Sequence, residues 1–109
     1  MMGSEERIEL RARPGRVEVR LPEAPTTGYQ WSLVSAPPGV RETGREYEQP
    51  AREARAGGAG TRVFVLDAST PGRHELEFRL QRPWEAEPLE RRVMTLVVAD
   101  EPDPDADSG

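Results

Sequence analysis

The side chains that could perform catalysis are few in this sequence, and their types do not fit together. No cysteine occurs in the 109 residues and His74 is the single histidine, which excludes thiolate nucleophiles, Cys-ligated metals and multi-histidine metal sites. A nucleophilic Thr26 or Thr27 would need His74 as its base, but His74 follows a turn and is expected to be an exposed surface residue. Glu85 and Glu87 fit a solvated loop better than a glycosidase pair. We therefore expect no enzymatic activity.

Three other segments contain residue types that are unusual for plain connections. Residues 24–31 read Ala-Pro-Thr-Thr-Gly-Tyr-Gln-Trp. Pro25 pushes the preceding residue toward extended geometry, Gly28 permits a positive φ, and the threonine hydroxyls can bond to nearby backbone. The pattern predicts a narrow, stiff and uncharged loop, although a turn without further function has the same composition.

The second and third segments lie on either side of a later pair of strands. Residues 57–60 read Gly-Gly-Ala-Gly and precede a strand; since phosphate loops open helices and this chain has no lysine, a flexible linker is the plain alternative. Arg82-Pro83-Trp84 follows a predicted strand. Because Trp and Arg are enriched as interface anchors, Trp84 is either an exposed anchor or a lid folded back on the core.

Strands must position these segments, because alternation of apolar and polar residues with period two dominates the chain. Ten glycines and eleven prolines supply turns and argue against a helix bundle. Six strands are predicted, around residues 8–12, 17–21, 29–33, 61–67, 75–80 and 91–98, with a doubtful seventh around Tyr47. We expect an all-β, immunoglobulin-like antiparallel β-sandwich of about seven strands, with a small barrel as the alternative. The turn at residues 13–16 leaves open whether the first two strands pair or pass between sheets.

The charge of the chain is balanced except near its C-terminal end. The net charge is −5, and the last ten residues hold five of the acids and no arginine. Residues 1–99 therefore carry fifteen acids and fifteen arginines, without the basic surplus that a nucleic-acid binder needs. We predict a sandwich domain over residues 1–99 and a disordered acidic tail over residues 100–109.

Membrane and export signals are also missing from the sequence as given. The longest apolar runs are four residues, far too short for a membrane span, and the first residues contain no apolar signal region. A soluble monomer with no nucleic-acid or membrane partner is expected. The cytoplasm is the expected location of the chain as given, while the native compartment stays open.

Together, the three segments resemble the chagasin family, protein inhibitors of papain-like cysteine proteases with an immunoglobulin-like fold. The resemblance covers roughly residues 8–98. It implies that three loops at one end of the sandwich occlude the active-site cleft of the protease, without a metal or cofactor. The protease-binding residues that it implies are Pro25, Thr26, Thr27, Gly28, Tyr29, Gly57, Gly58, Gly60, Arg82, Pro83 and Trp84.

Two positions depart from the family pattern. Ala24 stands where the family usually has Asn, whose side chain could brace the loop through backbone hydrogen bonds. Ala59 stands where the motif usually has Gly, so that a positive φ would be strained. Both changes bear on affinity more than on fold. The alternative function is an immunoglobulin-like binding module that uses the same loops for a non-protease partner.

Deletion of residues 100–109 tests the predicted tail. The segment contains no side chain suited to a core, so the melting temperature and the inhibition of papain should stay nearly unchanged. Thermal unfolding and an inhibition assay on the truncated and full chains measure both, and a large loss of either would show that the tail packs on the domain.

Overall fold

The strands of this protein show the alternation of buried and exposed side chains that the sequence predicts. The computed structural model describes residues 4–49 and 60–100. In β2, for example, every second side chain from Val17 to Glu23 is buried and those between are exposed. The strands are β1 (Ser4–Ala12), β2 (Gly15–Glu23), β3 (Gln30–Ser35), β4 (Arg41–Glu48), β5 (Gly60–Ala68), β6 (Gly72–Gln81) and β7 (Glu90–Val98), with a 3₁₀ turn at Pro25–Thr27.

The seven strands form two sheets that pack as a sandwich. One sheet has the order β1-β7-β6-β3 and the other the order β2-β5-β4. The all-β, immunoglobulin-like sandwich is therefore confirmed, the doubtful strand at Tyr47 is β4, and β5 is the central strand of its sheet. The chain passes between sheets at Gly15, which has φ of 123°. β1 consequently pairs with β7 rather than with β2, and this pair is parallel.

Aromatic side chains join the two sheets. The rings of Phe64 on β5 and Phe78 on β6 meet with centroids 5.0 Å apart. Trp31 is only 1% exposed, and its indole N–H donates to the carbonyl of Pro22, 2.8 Å away on the other sheet. Trp31 thus fills the core and satisfies its polar atom there, as a buried indole must.

His74 is buried, which corrects the expectation that it is a surface residue. It is 8% exposed, and its Nε2 lies 2.7 Å from the carbonyl oxygen of Thr70. The reason is the register of β6, which turns residue 74 inward together with Leu76 and Phe78. Gln81 is seven positions after His74 on β6, a distance of roughly 23 Å along the strand, so His74 is remote from the threonines of the first loop.

Some predictions fall outside the described residues. Gly57, Gly58 and Ala59 lie outside the described part of the chain, and so does the acidic tail apart from Asp100. The boundary at residue 99 stays a prediction, although β7 ends at Val98. In the described part of the chain, no helix has the length and apolar character required to cross a membrane.

Replacement of Trp31 by Ala should strongly destabilise the domain. The substitution leaves a cavity between the sheets and removes the indole hydrogen bond to Pro22. We expect a loss of about 3 to 5 kcal/mol in the free energy of unfolding, measured by chemical denaturation. A loss below about 1 kcal/mol would contradict the core position of this side chain.

Candidate functional site

Strand pairing brings three connections to one end of the sandwich. Glu23, the last residue of β2, is paired with Gly60, the first residue of β5. Gln30 at the start of β3 is paired with Gln81 at the end of β6. We call residues 24–29 loop 1, residues 49–59 loop 2 and residues 82–89 loop 3. Each of them connects strand ends that lie at this same end.

Loop 1 is held by its own hydrogen bonds. The backbone N–H of Thr27 donates to the carbonyl of Ala24 (3.1 Å), and the Thr27 hydroxyl donates to the same oxygen (2.8 Å). That hydroxyl also accepts the N–H of Tyr29 at 3.2 Å. The predicted bracing by a threonine hydroxyl is confirmed for Thr27. Because the acceptor is the backbone of Ala24, these bonds do not need the Asn that the family usually has there.

Two features of loop 1 require glycine at position 28: the backbone angle φ and the close approach of the Trp84 ring. Its φ is +83°, a region that side chains other than glycine rarely adopt. A Cβ at this position would lie 3.2 Å from Cη2 of the Trp84 ring. The glycine therefore completes the turn and lets loop 3 approach loop 1 closely.

Loop 3 presents Trp84 to solvent. A turn closes on the hydrogen bond from the N–H of Glu85 to the carbonyl of Arg82, 3.1 Å long, and Gln81 Nε2 donates to the carbonyl of Glu85 (2.6 Å). Trp84 remains 71% exposed at the tip. Of the two interpretations of this residue, the lid on the core is excluded and the exposed side chain remains.

Arg82 joins loop 3 to loop 1. Its Nε donates to the carbonyl of Thr27 at 3.0 Å, and its guanidinium carbon lies 4.2 Å from the ring centroid of Tyr29. The same group is 5.9 Å from the ring centroid of Trp84. A guanidinium close to two rings combines a hydrogen bond with cation–π attraction. Arg82 therefore fixes the two loops as one edge.

Beneath loop 1 lies a buried carboxylate that the sequence analysis missed. Glu23 is 3% exposed. Its Oε1 accepts the backbone N–H of Trp31 at 2.9 Å and Nε of Arg62 at 3.2 Å, while Oε2 accepts Nη2 of Arg62 at 2.6 Å. This hydrogen bonding raises the pKa of Arg62 against the opposing effect of burial. The sequence did contain a signal for this burial: Glu23 continues the alternation of β2, in which Val17, Val19 and Leu21 are the buried positions.

The structure places the candidate residues in three different environments. Thr26, Thr27, Pro83 and Trp84 are exposed, whereas Gly28, Tyr29 and Arg82 are half-buried between the loops. Pro25 belongs to the 3₁₀ turn, and Gly60 is buried at the start of β5. Gly57 and Gly58 lie outside the described residues. Among the described residues, no group of three acidic or histidine side chains is placed to hold a metal ion.

The exposed edge and the motifs that form it agree with a comparison of the sequence with known families. The family model described as "Chagasin family peptidase inhibitor I42" matches residues 13–98. This chain belongs to the chagasin family. It is accordingly a peptidase inhibitor and not an enzyme, as the sequence analysis predicts. No curated protein sequence matches the chain at a significant level.

Solved structures share the fold of this chagasin-family chain. The crystal structure of the cysteine protease inhibitor EhICP2 from Entamoeba histolytica aligns with a TM-score of 0.68 at 20% identity, covering 87% of this chain and 96% of that one. The solution structure of Amebosin aligns with a TM-score of 0.57 at 24% identity, covering 89% and 96%. PbICP-C, solved in complex with falcipain-2, aligns with a TM-score of 0.62 at 16% identity, covering 89% and 91%. These likenesses confirm the sandwich, while the contact roles of individual loop residues stay predictions.

The buried pair of Glu23 and Arg62 is open to a double-variant test. Glu23→Ala leaves the Arg62 guanidinium without its carboxylate, so we expect a loss of about 3 to 5 kcal/mol in the free energy of unfolding. Glu23→Leu combined with Arg62→Met removes both charges and should lose less than half as much. Chemical denaturation measures both values. A loss in the double variant that equals or exceeds the loss in Glu23→Ala would contradict the pairing.

Proposed function

We propose that this chain is a reversible, competitive inhibitor of papain-like cysteine proteases, with the edge formed by loops 1 and 3 occupying the active-site cleft. The observation that carries the proposal is the exposed Trp84 on a loop that Arg82 binds directly to loop 1. The family is one of peptidase inhibitors. EhICP2 is described as a cysteine protease inhibitor, and PbICP-C was solved with falcipain-2. We extend the same class of partner to this chain.

Loop 1 has the properties that such a cleft demands. A papain-like site keeps its nucleophile as a thiolate beside an imidazolium. A carboxylate brought against the thiolate would be repelled, and any charged side chain would have to lose its water. Residues 24–29 carry no charge. Their backbone is already bonded through Thr27, so the loop loses little conformational entropy on binding.

The same rigidity makes the chain an inhibitor instead of a substrate. Cleavage requires the attacked peptide to change its geometry around a carbonyl carbon, and the bonds of Thr27 and Arg82 oppose such a change in loop 1. With no cysteine in the chain, a mixed disulfide with the protease is impossible. We therefore infer that the complex forms without a covalent bond and releases the inhibitor intact.

Trp84 is the anchor beside the cleft. Its exposed ring offers the largest apolar surface of the edge, and burial of such a ring by a partner is the usual origin of a binding hot spot. On one side the ring lies close to Gly28 and to the guanidinium of Arg82. Thr26 is the exposed residue of loop 1 that we place deepest in the cleft, so its side chain must be small to enter.

Variants at Trp84 and Thr26 test this arrangement. Trp84→Ala should weaken inhibition of papain roughly thirty- to a thousandfold, since loss of an anchor costs about 2 to 4 kcal/mol of binding. Its free energy of unfolding should change little because the ring is exposed. Thr26→Arg should abolish inhibition through size and charge, and Thr26→Ser is the matched control that should inhibit normally. Inhibition constants and denaturation curves are measured on the same samples.

The opposite results would contradict the proposal. A Trp84→Ala variant that unfolds the domain, together with a Thr26→Arg variant that inhibits like the wild type, would exclude the edge as the binding surface. A wild-type chain that fails to inhibit papain or a cathepsin would instead favour a non-protease partner for these loops.

A further inference from the structure

One tyrosine hydroxyl connects the strand ends from which loops 1 and 2 emerge. Tyr47 lies on β4 with its side chain half-buried. Its hydroxyl donates to the carbonyl oxygen of Glu23, 3.1 Å away, and accepts the backbone N–H of Gly60 at 3.0 Å. Glu23 ends β2 and Gly60 begins β5. A single side chain therefore bridges the end of β2 and the start of β5.

The Tyr47 hydroxyl lies so close to Gly60 that residue 60 has no room for a side chain. It is buried, and a Cβ built on it would overlap the hydroxyl of Tyr47 and the carbonyl oxygen of Glu48. The glycines with positive φ in the described residues are Gly15, Gly28 and Gly72, so the backbone angle is not what requires glycine at position 60. The reason is space, because the Tyr47 hydroxyl and the Glu48 carbonyl oxygen together occupy the position that a side chain would take.

The ring of Tyr47 is fixed by the buried ion pair. The guanidinium carbon of Arg62 lies 5.2 Å from the ring centroid, and the same guanidinium binds the carboxylate of Glu23. That carboxylate also accepts the N–H of Trp31, just beyond loop 1. Tyr47, Arg62 and Glu23 thus form a closed set of contacts that includes both ends of loop 1.

We propose that Tyr47 is a positioning residue of the inhibitor: its hydroxyl holds the end of β2, from which loop 1 emerges, at a fixed distance from the start of β5, and the absence of a side chain at Gly60 leaves room for that hydroxyl. This inference rests on the proposed function and changes the part of Gly60, which the family resemblance places among the protease contacts. Neither residue needs to touch the protease. The edge formed by loops 1 and 3 can enter a cleft without rearrangement only if loop 1 is already held in place in the free protein.

Loss of the hydroxyl should therefore lower the fraction of free inhibitor molecules whose loops are arranged to bind the protease. The apparent affinity of a protein falls with the fraction of molecules that are competent to bind. Without the bridge, that fraction drops and association with the protease slows. Once the complex has formed, the contacts of Thr26 and Trp84 are intact, so dissociation should change little.

The test is Tyr47→Phe in the full chain, which removes the hydroxyl and keeps the ring. Association and dissociation rates with papain are measured together with amide hydrogen exchange at Gly60 and Trp31 in the free protein. We expect association to slow about tenfold, dissociation to stay within about twofold, and exchange at Gly60 to accelerate about tenfold. Val17→Ala or Val98→Ala, buried at the opposite end, is the control with a matched fall in melting temperature. The control should change neither the association rate nor exchange at Gly60.

Each other result overturns a defined part of the argument. Wild-type rates in Tyr47→Phe would show that the bridge does not position the loops, and faster dissociation with unchanged association would make Tyr47 a direct protease contact. Equal losses in the matched control would reduce the effect to general stability. If the wild-type chain itself does not inhibit, the proposed function fails, and exchange at Gly60 alone then decides whether the hydroxyl couples the strand ends.

Discussion

The buried carboxylate of Glu23 is the constraint on which this end of the sandwich depends. A charge that is 3% exposed must be paired and hydrogen-bonded, or the fold would lose several kcal/mol. Arg62 supplies two N–H donors and Trp31 a third. The carboxylate therefore determines how β2, β3 and β5 meet, and loop 1 spans the gap between two of these strands. The position of the loop follows from an interaction beneath it.

Above the pair of Glu23 and Arg62, loops 1 and 3 form a projecting edge and not a pocket. Arg82 reaches from loop 3 to the carbonyl of Thr27 and lies against the ring of Tyr29, so loops 1 and 3 are joined directly. Trp84 is left exposed on that piece. Exposure of a large ring is unfavourable in the free protein, and its burial against a protease would recover that free energy. A projecting rigid edge suits inhibition of a cleft-bearing enzyme.

Arginine is suited to both structural tasks at this end of the molecule, and all fifteen basic residues of the chain are arginines. Arg62 binds a carboxylate through two nitrogens and lies over the ring of Tyr47. Arg82 binds a carbonyl and lies over the ring of Tyr29. The planar guanidinium can donate along its edge while its face stacks on a ring, which the compact ammonium of lysine cannot do.

Local patterns in the sequence were enough to predict six of the strands, the turns at Gly15 and Gly28 and the sandwich, because alternation and turn chemistry depend on neighbouring residues. The family was indicated separately, by the resemblance of three short segments. The burial of His74, the parallel pairing of β1 with β7, and the bridge from Tyr47 to Glu23 and Gly60 were decided only by the tertiary structure. Glu23 and Arg62 are 39 residues apart in the chain. Such partners meet through the register between strands, and a period of two shows which side of a strand is buried but not what it faces.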